Sequence, residues 1–118
     1  MNQKQLMQKR NDSARLLEHT SSIHRNCVRF NADNGIAHEM KKAEVCYHLK
    51  EAKIEFVCEA EFYGKKTGRA DILILDECVA LEIVDSESME SIEKKKKKYP
   101  CRIVVLRVGQ EFKEEILQ

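Results

Sequence analysis

Gly68-Arg69-Ala70-Asp71-Ile72-Leu73-Ile74-Leu75-Asp76-Glu77-Cys78-Val79-Ala80-Leu81-Glu82-Ile83-Val84-Asp85 is the stretch that decides the fold. Two apolar runs flank an Asp-Glu pair, and each run carries one carboxylate where a buried strand should have none. If Asp76 and Glu77 form a two-residue hairpin loop, Leu75 pairs with Cys78 and Asp71 falls directly opposite Glu82. Directly opposed residues share a sheet face, with Cβ atoms about 5 Å apart, and like charges there repel. Two carboxylates in apolar strands are costly unless a cation sits between them or one holds a proton. A divalent metal is the simplest resolution, and it points to metal-assisted hydrolysis.

The flanks extend this hairpin into a domain. Ile54 to Phe62 alternates, with Ile54, Phe56, Cys58, Ala60 and Phe62 on one side and Glu55, Val57, Glu59 and Glu61 on the other. That period of two predicts a half-buried strand, joined to the next by the glycine-bounded loop Tyr63 to Gly68. Before it, Asp33-Asn34-Gly35 signals a turn and a helix start, and residues 36–52 carry helical periodicity. Ile36, Met40, Ala43 and Tyr47 are expected to form the inward face, widened by Val45, Leu49 and Ala52. Glu39 borders that face, while His38 points towards its edge and reads as a surface residue or one behind a site. After the hairpin, Ser86 or Ser88 caps a helix running to Tyr99, and Pro100 prevents its continuation. Asp85 and Glu87 suit the start of that helix. Cys101 to Val108 reads as another buried strand, and Phe112 with Ile116 marks a short terminal helix. The fold class is therefore α/β, a mixed four-stranded sheet flanked by helices in the order αβββαβ, with a helical crossover before the last strand. Residues 1–33 read as an N-terminal helical arm or extension, and 34–118 as the core domain.

Composition narrows the function classes. The chain has 118 residues, one domain's worth, and a formal net charge of +1, so bulk attraction to polyanions is not indicated. Its charges are unevenly spread: Asp71 to Glu93 contains acids and no Lys or Arg, and Lys94 to Lys98 follows at once. The five cysteines, Cys27, Cys46, Cys58, Cys78 and Cys101, show no Cys-x-x-Cys spacing. A zinc site and a disulfide framework are both disfavoured, and a reducing, cytoplasmic setting is expected. His19, His24 and His48 have no ligand spacing between them. No apolar run suits a membrane span or a signal peptide.

Over roughly residues 34 to 108 the arrangement resembles the PD-(D/E)XK nuclease superfamily, which includes restriction endonucleases and archaeal Holliday-junction resolvases. The resemblance rests on Glu39 in the first core helix, on Asp71 after Gly68-Arg69-Ala70, on Glu82 in the next strand, and on the helix and strand around Tyr99-Pro100. It implies a restriction-endonuclease-like core and a metal-dependent nuclease acting on DNA. By the same resemblance Asp71, Glu82 and the carbonyl of Ile83 hold Mg²⁺ or Mn²⁺, with Glu39 a third or water-mediated ligand, and the metal-bound water attacks the phosphodiester. Lys65, Lys66, Arg69 and Lys42 are the expected phosphate contacts. Family nucleases of this size are often homodimers, so a homodimer is expected.

The chain departs from the family at one point. The lysine that stands two residues after the second acid is here Val84. Three readings follow: the cation comes from Lys95 or Lys96 on the next helix, Arg69 substitutes for it, or catalysis is lost. The last makes the chain a catalytically inactive, nucleic-acid-binding or scaffold protein. A third class, a protein-interaction module acting through the N-terminal arm, predicts that complex formation needs residues 1–30 and ignores Asp71.

Overall fold

The computed structural model describes residues 1–64, 69–86 and 89–118. It is a mixed α/β fold in which helices α1 (Gln3–Ala14), α2 (His19–Ser22) and α3 (Ile36–Glu51) precede strands β1 (Phe56–Glu61), β2 (Arg69–Ile74) and β3 (Val79–Val84). Helix α4 (Met89–Lys98) then leads to β4 (Arg102–Arg107), and the chain ends in a 3-10 turn, Glu114–Leu117. The sheet runs β1-β2-β3-β4, antiparallel except for the parallel β3–β4 pair that the α4 crossover makes possible. No helix among the described residues is long and apolar enough to cross a membrane.

The hairpin register is the one on which the sequence argument rests. Ile72 pairs with Leu81, Leu73 with Ala80 and Ile74 with Val79, so one further step sets Asp71 across from Glu82. The loop itself is wider than expected, a turn over residues 75–78 with Cys78 at φ 53°. Asp76 anchors it by accepting from Arg10 Nε (2.7 Å) and from the Glu55 amide (3.1 Å).

Helix α3 starts after Gly35, whose φ of 83° suits the residue without a side chain. It ends in a Schellman closure: the Ile54 amide reaches Leu49 O and the Lys53 amide reaches Lys50 O, with Lys53 in the left-handed region at φ 61°. The expected inward face is corrected. Val45, Cys46 and Leu49 are fully buried against the sheet, whereas Ile36, Met40 and Tyr47 are exposed. The helix is rolled so that His38 and Lys42, in line with Val45 and Leu49, point inward, because the strands supply carboxylates to receive them.

Two cores cover the sheet. One holds Val45, Cys46 and Leu49 of α3 with Phe56, Cys58, Ile72, Ile74, Leu81 and Leu106; the other holds Ala14 and Leu17 with Val57, Ala60, Phe62, Ala70, Leu73 and Tyr99. The simple alternation expected for β1 fails between them. Cys58 and Ile72 pair and lie in the first core, yet Ala60 and Ala70, two rungs on, pair and lie in the second. Glu59, at φ 51°, sits at the point where the strand turns over. Asp71 occupies the matching position on β2.

Residues 1–33 are built into this domain. Ser13 Oγ donates to Leu75 O at 2.8 Å, Arg10 pairs with Asp76, and Leu17 and Arg25 bridge to Phe62 and Val57. β4 is a half-buried edge strand where a buried one was expected.

Candidate active site

At the end of the sheet where β2 and β3 begin to part, a cleft of about 790 Å³ opens between the start of α3 and the middle of α4. Asp71, Glu82, His38, Lys95 and Tyr99 line it, with Asn31 and Asn34 at its lip. Asp71 and Glu82 are both buried, and their side chains meet. Their surroundings push them in opposite directions. Burial drives Asp71 up, but the hydrogen bond from His38 and the Ile83 amide outweigh it, so it stays ionised below the usual carboxylate range. Burial, then the charge of Asp71, pushes Glu82 up to about 8 against the pull of Lys95. At neutral pH Glu82 therefore holds a proton, which resolves the carboxylate conflict in one of the two ways open to it.

His38, which the sequence left between the surface and a place behind the site, takes the second. Its Nδ1 lies 2.6 Å from Glu39 and its Nε2 lies 3.2 Å from Asp71. The hydrogen bond with Asp71, opposed by burial and aided by both acids, raises it to about 9, so the ring is an imidazolium donating at both nitrogens. The signal lay in the spacing of His38, Lys42, Val45 and Leu49, which is that of one helix face.

Glu39 is consequently corrected from a third acid beside Asp71 to a residue one step behind it. It accepts from Lys42 Nζ at 2.7 Å and from the Asn31 amide, and His38 stands between it and the cleft. Among the described residues no group of three or more His, Cys, Asp or Glu side chains converges as a metal site of that size requires. Lys42 is corrected too: it is fully buried, held by Glu39, by Glu59 (3.1 Å) and by Arg29 O (2.9 Å), and reaches no phosphate. Its charge belongs to a buried chain of alternating sign running Glu59, Lys42, Glu39, His38, Asp71.

The two lysines expected on α4 separate. Lys95 lines the cleft with Nζ 3.8 Å from Glu82 Oε2, while Lys96 points away and pairs with Glu93 at 3.3 Å. Arg69 sits on the cleft rim, but its guanidinium is tied to Glu61 at 2.7 Å across the β1–β2 pair, so it does not occupy the place Val84 leaves. Val84 is buried. Lys65, Lys66 and Glu87 lie outside the described residues.

The oxygen set fits a hard divalent cation in one specific respect. Glu82 Oε1 is buried and finds no donor among the described residues, an arrangement that costs free energy until a proton or a cation reaches it. The Ile83 amide donates to Asp71 Oδ2 at 2.8 Å. The N–H and C=O of one strand residue point the same way, so the Ile83 carbonyl faces the same side. Two carboxylates and a carbonyl suit Mg²⁺, which is commonly bound by one or two carboxylates, with water and phosphate oxygens completing its shell. In comparisons with known proteins, no family model, no curated protein and no solved structure matches the chain.

Proposed function

We propose that the chain is a metal-dependent nuclease with a restriction-endonuclease-like core, hydrolysing DNA phosphodiester bonds in the cleft between α3 and α4. The observation that carries this reading is the buried Asp71–Glu82 pair on adjacent strands, with an oxygen of Glu82 that finds no donor among the described residues, at the floor of an open cleft with Lys95 on its wall. Asp71, Glu82 and the Ile83 carbonyl would hold Mg²⁺ or Mn²⁺, which supplies an activated water and polarises the phosphoryl oxygen.

The chain's own residues do the rest. His38 and the Ile83 amide fix the Asp71 carboxylate from two directions, so it is set in place before substrate arrives. Glu39, itself held by Lys42, fixes His38 from behind and with Asp71 keeps it charged. Lys95 takes the role of the lysine absent at Val84, drawing a phosphate oxygen towards the carboxylates from the α4 side. The lip amides of Asn31 and Asn34 offer polar contacts to a sugar-phosphate backbone. A homodimer would carry two such clefts.

The test is cleavage of labelled single-stranded, duplex, flap and four-way-junction DNA with Mg²⁺ or Mn²⁺, comparing wild type with Asp71→Asn and Glu82→Gln. The expected result is metal-dependent cleavage reduced at least about a hundredfold in each variant. Metal binding by the wild type without cleavage of any substrate would overturn it in favour of an inactive nuclease-fold binding protein, which Val84 favours.

A further inference from the structure

The sequence holds no Cys-x-x-Cys spacing, yet the fold gathers four of its five cysteines into two sulfur pairs. Cys46 of α3 and Cys58 of β1 place their sulfurs 3.3 Å apart, but both are fully buried in the first core. Cys78 and Cys101 make the second pair, and both are partly exposed. β3 and β4 run parallel with Val79 opposite Arg102, so one step back Cys78 stands opposite Cys101. Neighbouring strands lie about 4.8 Å apart, inside the roughly 4.4–6.8 Å Cα separation that a disulfide spans. The two side chains are hydrogen-bonded to each other. Cys78 closes the hairpin turn in the left-handed region, at φ 53°, a place that favours Gly or Asn. Cys101 follows Pro100 at the end of the α4 crossover. Helix α1 borders the turn, with Ser13 in hydrogen-bond reach of Cys78 and Lys9 adding positive charge.

We propose that Cys78 and Cys101 form a peroxide-oxidisable dithiol, with Cys78 the attacking sulfur and Cys101 the one that resolves it. The fold holds these two sulfurs in contact without sealing either from solvent, which sets them apart from Cys46 and Cys58. Their surroundings divide the roles. The hydrogen bond from Cys101, helped by Ser13 and Lys9, outweighs burial and holds Cys78 below the ordinary thiol range, while the same bond and burial push Cys101 up. The thiolate is the nucleophile, so Cys78 reacts first. Its sulfur attacks one oxygen of hydrogen peroxide: the S–O bond forms, the O–O bond breaks, and the departing hydroxide takes up the proton Cys78 gave up. Cys101 sulfur then attacks the sulfenic sulfur: the S–S bond forms, the S–O bond breaks, and the hydroxyl leaves with the Cys101 proton as a second water. Two thiols lose two electrons and one peroxide becomes two waters. The product is a covalent rung beside the Val79–Arg102 pair, joining the hairpin turn to the chain leaving α4. This site lies outside the lining of the cleft and is independent of the chemistry proposed there.

The test is oxidation of the full chain by hydrogen peroxide in small molar excess at neutral pH, followed by alkylation in denaturant and peptide mapping by mass spectrometry. The five cysteines fall in separate tryptic peptides, so each is read individually. Wild type is expected to lose the mass of two hydrogens, recovered in a peptide joining Cys78 to Cys101 that a thiol reductant splits, while Cys46 and Cys58 stay reduced. Cys78 is expected to be consumed about tenfold faster than the more exposed Cys27. Cys101→Ser is expected to stop at a sulfenic acid on Cys78, captured by dimedone, and Cys78→Ser to leave Cys101 as a thiol. Free Cys78 and Cys101 thiols in treated wild type, or a first disulfide at Cys46–Cys58, overturn the inference without need of either variant. Dimedone captured on Cys101 in Cys78→Ser overturns the division of roles. None of these outcomes depends on DNA cleavage.

Discussion

Replacing Glu82 by Gln should change how stability depends on pH more than it changes stability itself. The Glu82 carboxyl is raised from 4.5 to about 8 in the folded chain, chiefly by burial and then by Asp71. Between those two values the folded protein holds a proton that the unfolded chain has released. Its contribution is full below about pH 4.5 and is lost as pH rises through the folded value near 8. Each pH unit in that window removes up to about 1.4 kcal/mol, so the whole window is worth on the order of 5 kcal/mol. His38 adds a fall of the same sign between its ordinary 6.5 and about 9, and it keeps Asp71 and Glu39 as partners in the variant. The difference between wild type and Glu82→Gln therefore isolates Glu82. Urea unfolding at half-unit steps from pH 5 to 9 should show Glu82→Gln losing several kcal/mol less than wild type over that range. Added Mg²⁺ should raise the wild-type midpoint more at pH 8.5 than at pH 5.5, because it competes with the Glu82 proton. Parallel pH curves for the two proteins would refute the reasoning, since they would mean that Glu82 carries no excess proton in the fold.

Removing the cation behind the site should cost more than removing one at its mouth. Lys42→Met strands Glu39 and Glu59 in the interior and is expected to destabilise by about 3–5 kcal/mol in urea unfolding; a loss under 1 kcal/mol would mean those acids are solvated. Lys95→Ala should reduce DNA cleavage by about 10²-fold with little change in stability, while Lys96→Ala should leave the rate within about twofold, both read from initial rates on the preferred substrate.

What the sequence disclosed and what it hid divide along a physical line. The Asp71–Glu82 register was legible because a sheet's period is two and the interrupting charges sit at matching distances from an acidic turn; widening that turn to residues 75–78 left the pairing intact. Helix α3 was legible as a helix but not in its orientation. Ile36-Met40-Ala43-Tyr47 and His38-Lys42-Val45-Leu49 repeat with the same spacing, and hydrophobicity alone ranks the first as the core. The second is buried because Glu59 and Asp71 lie far off in sequence and receive its charges. For the same reason Lys42 read as a phosphate contact, and His38 was left open between a surface residue and one behind the site. The turnover of β1 was hidden as well, since nothing in Cys58-Glu59-Ala60 announces a left-handed Glu. Choosing between Lys95 and Lys96 needed the direction of α4, which five consecutive lysines obscure.

The turnover at Glu59 also bears on how this domain can change. Asp71 and Glu59 sit where the sheet passes from one core to the other, and Glu82 lies beside Asp71 on the next strand. A new side chain at these three positions meets other polar groups instead of the jigsaw of Phe56, Leu73 and Leu81. The three positions do not tolerate change equally: replacing Glu59 or Asp71 strands the buried Lys42 or His38, whereas Glu82 holds a proton at neutral pH and leaves no buried charge behind, so a variant library at residue 82 should return folded proteins far more often than one at 59 or 71.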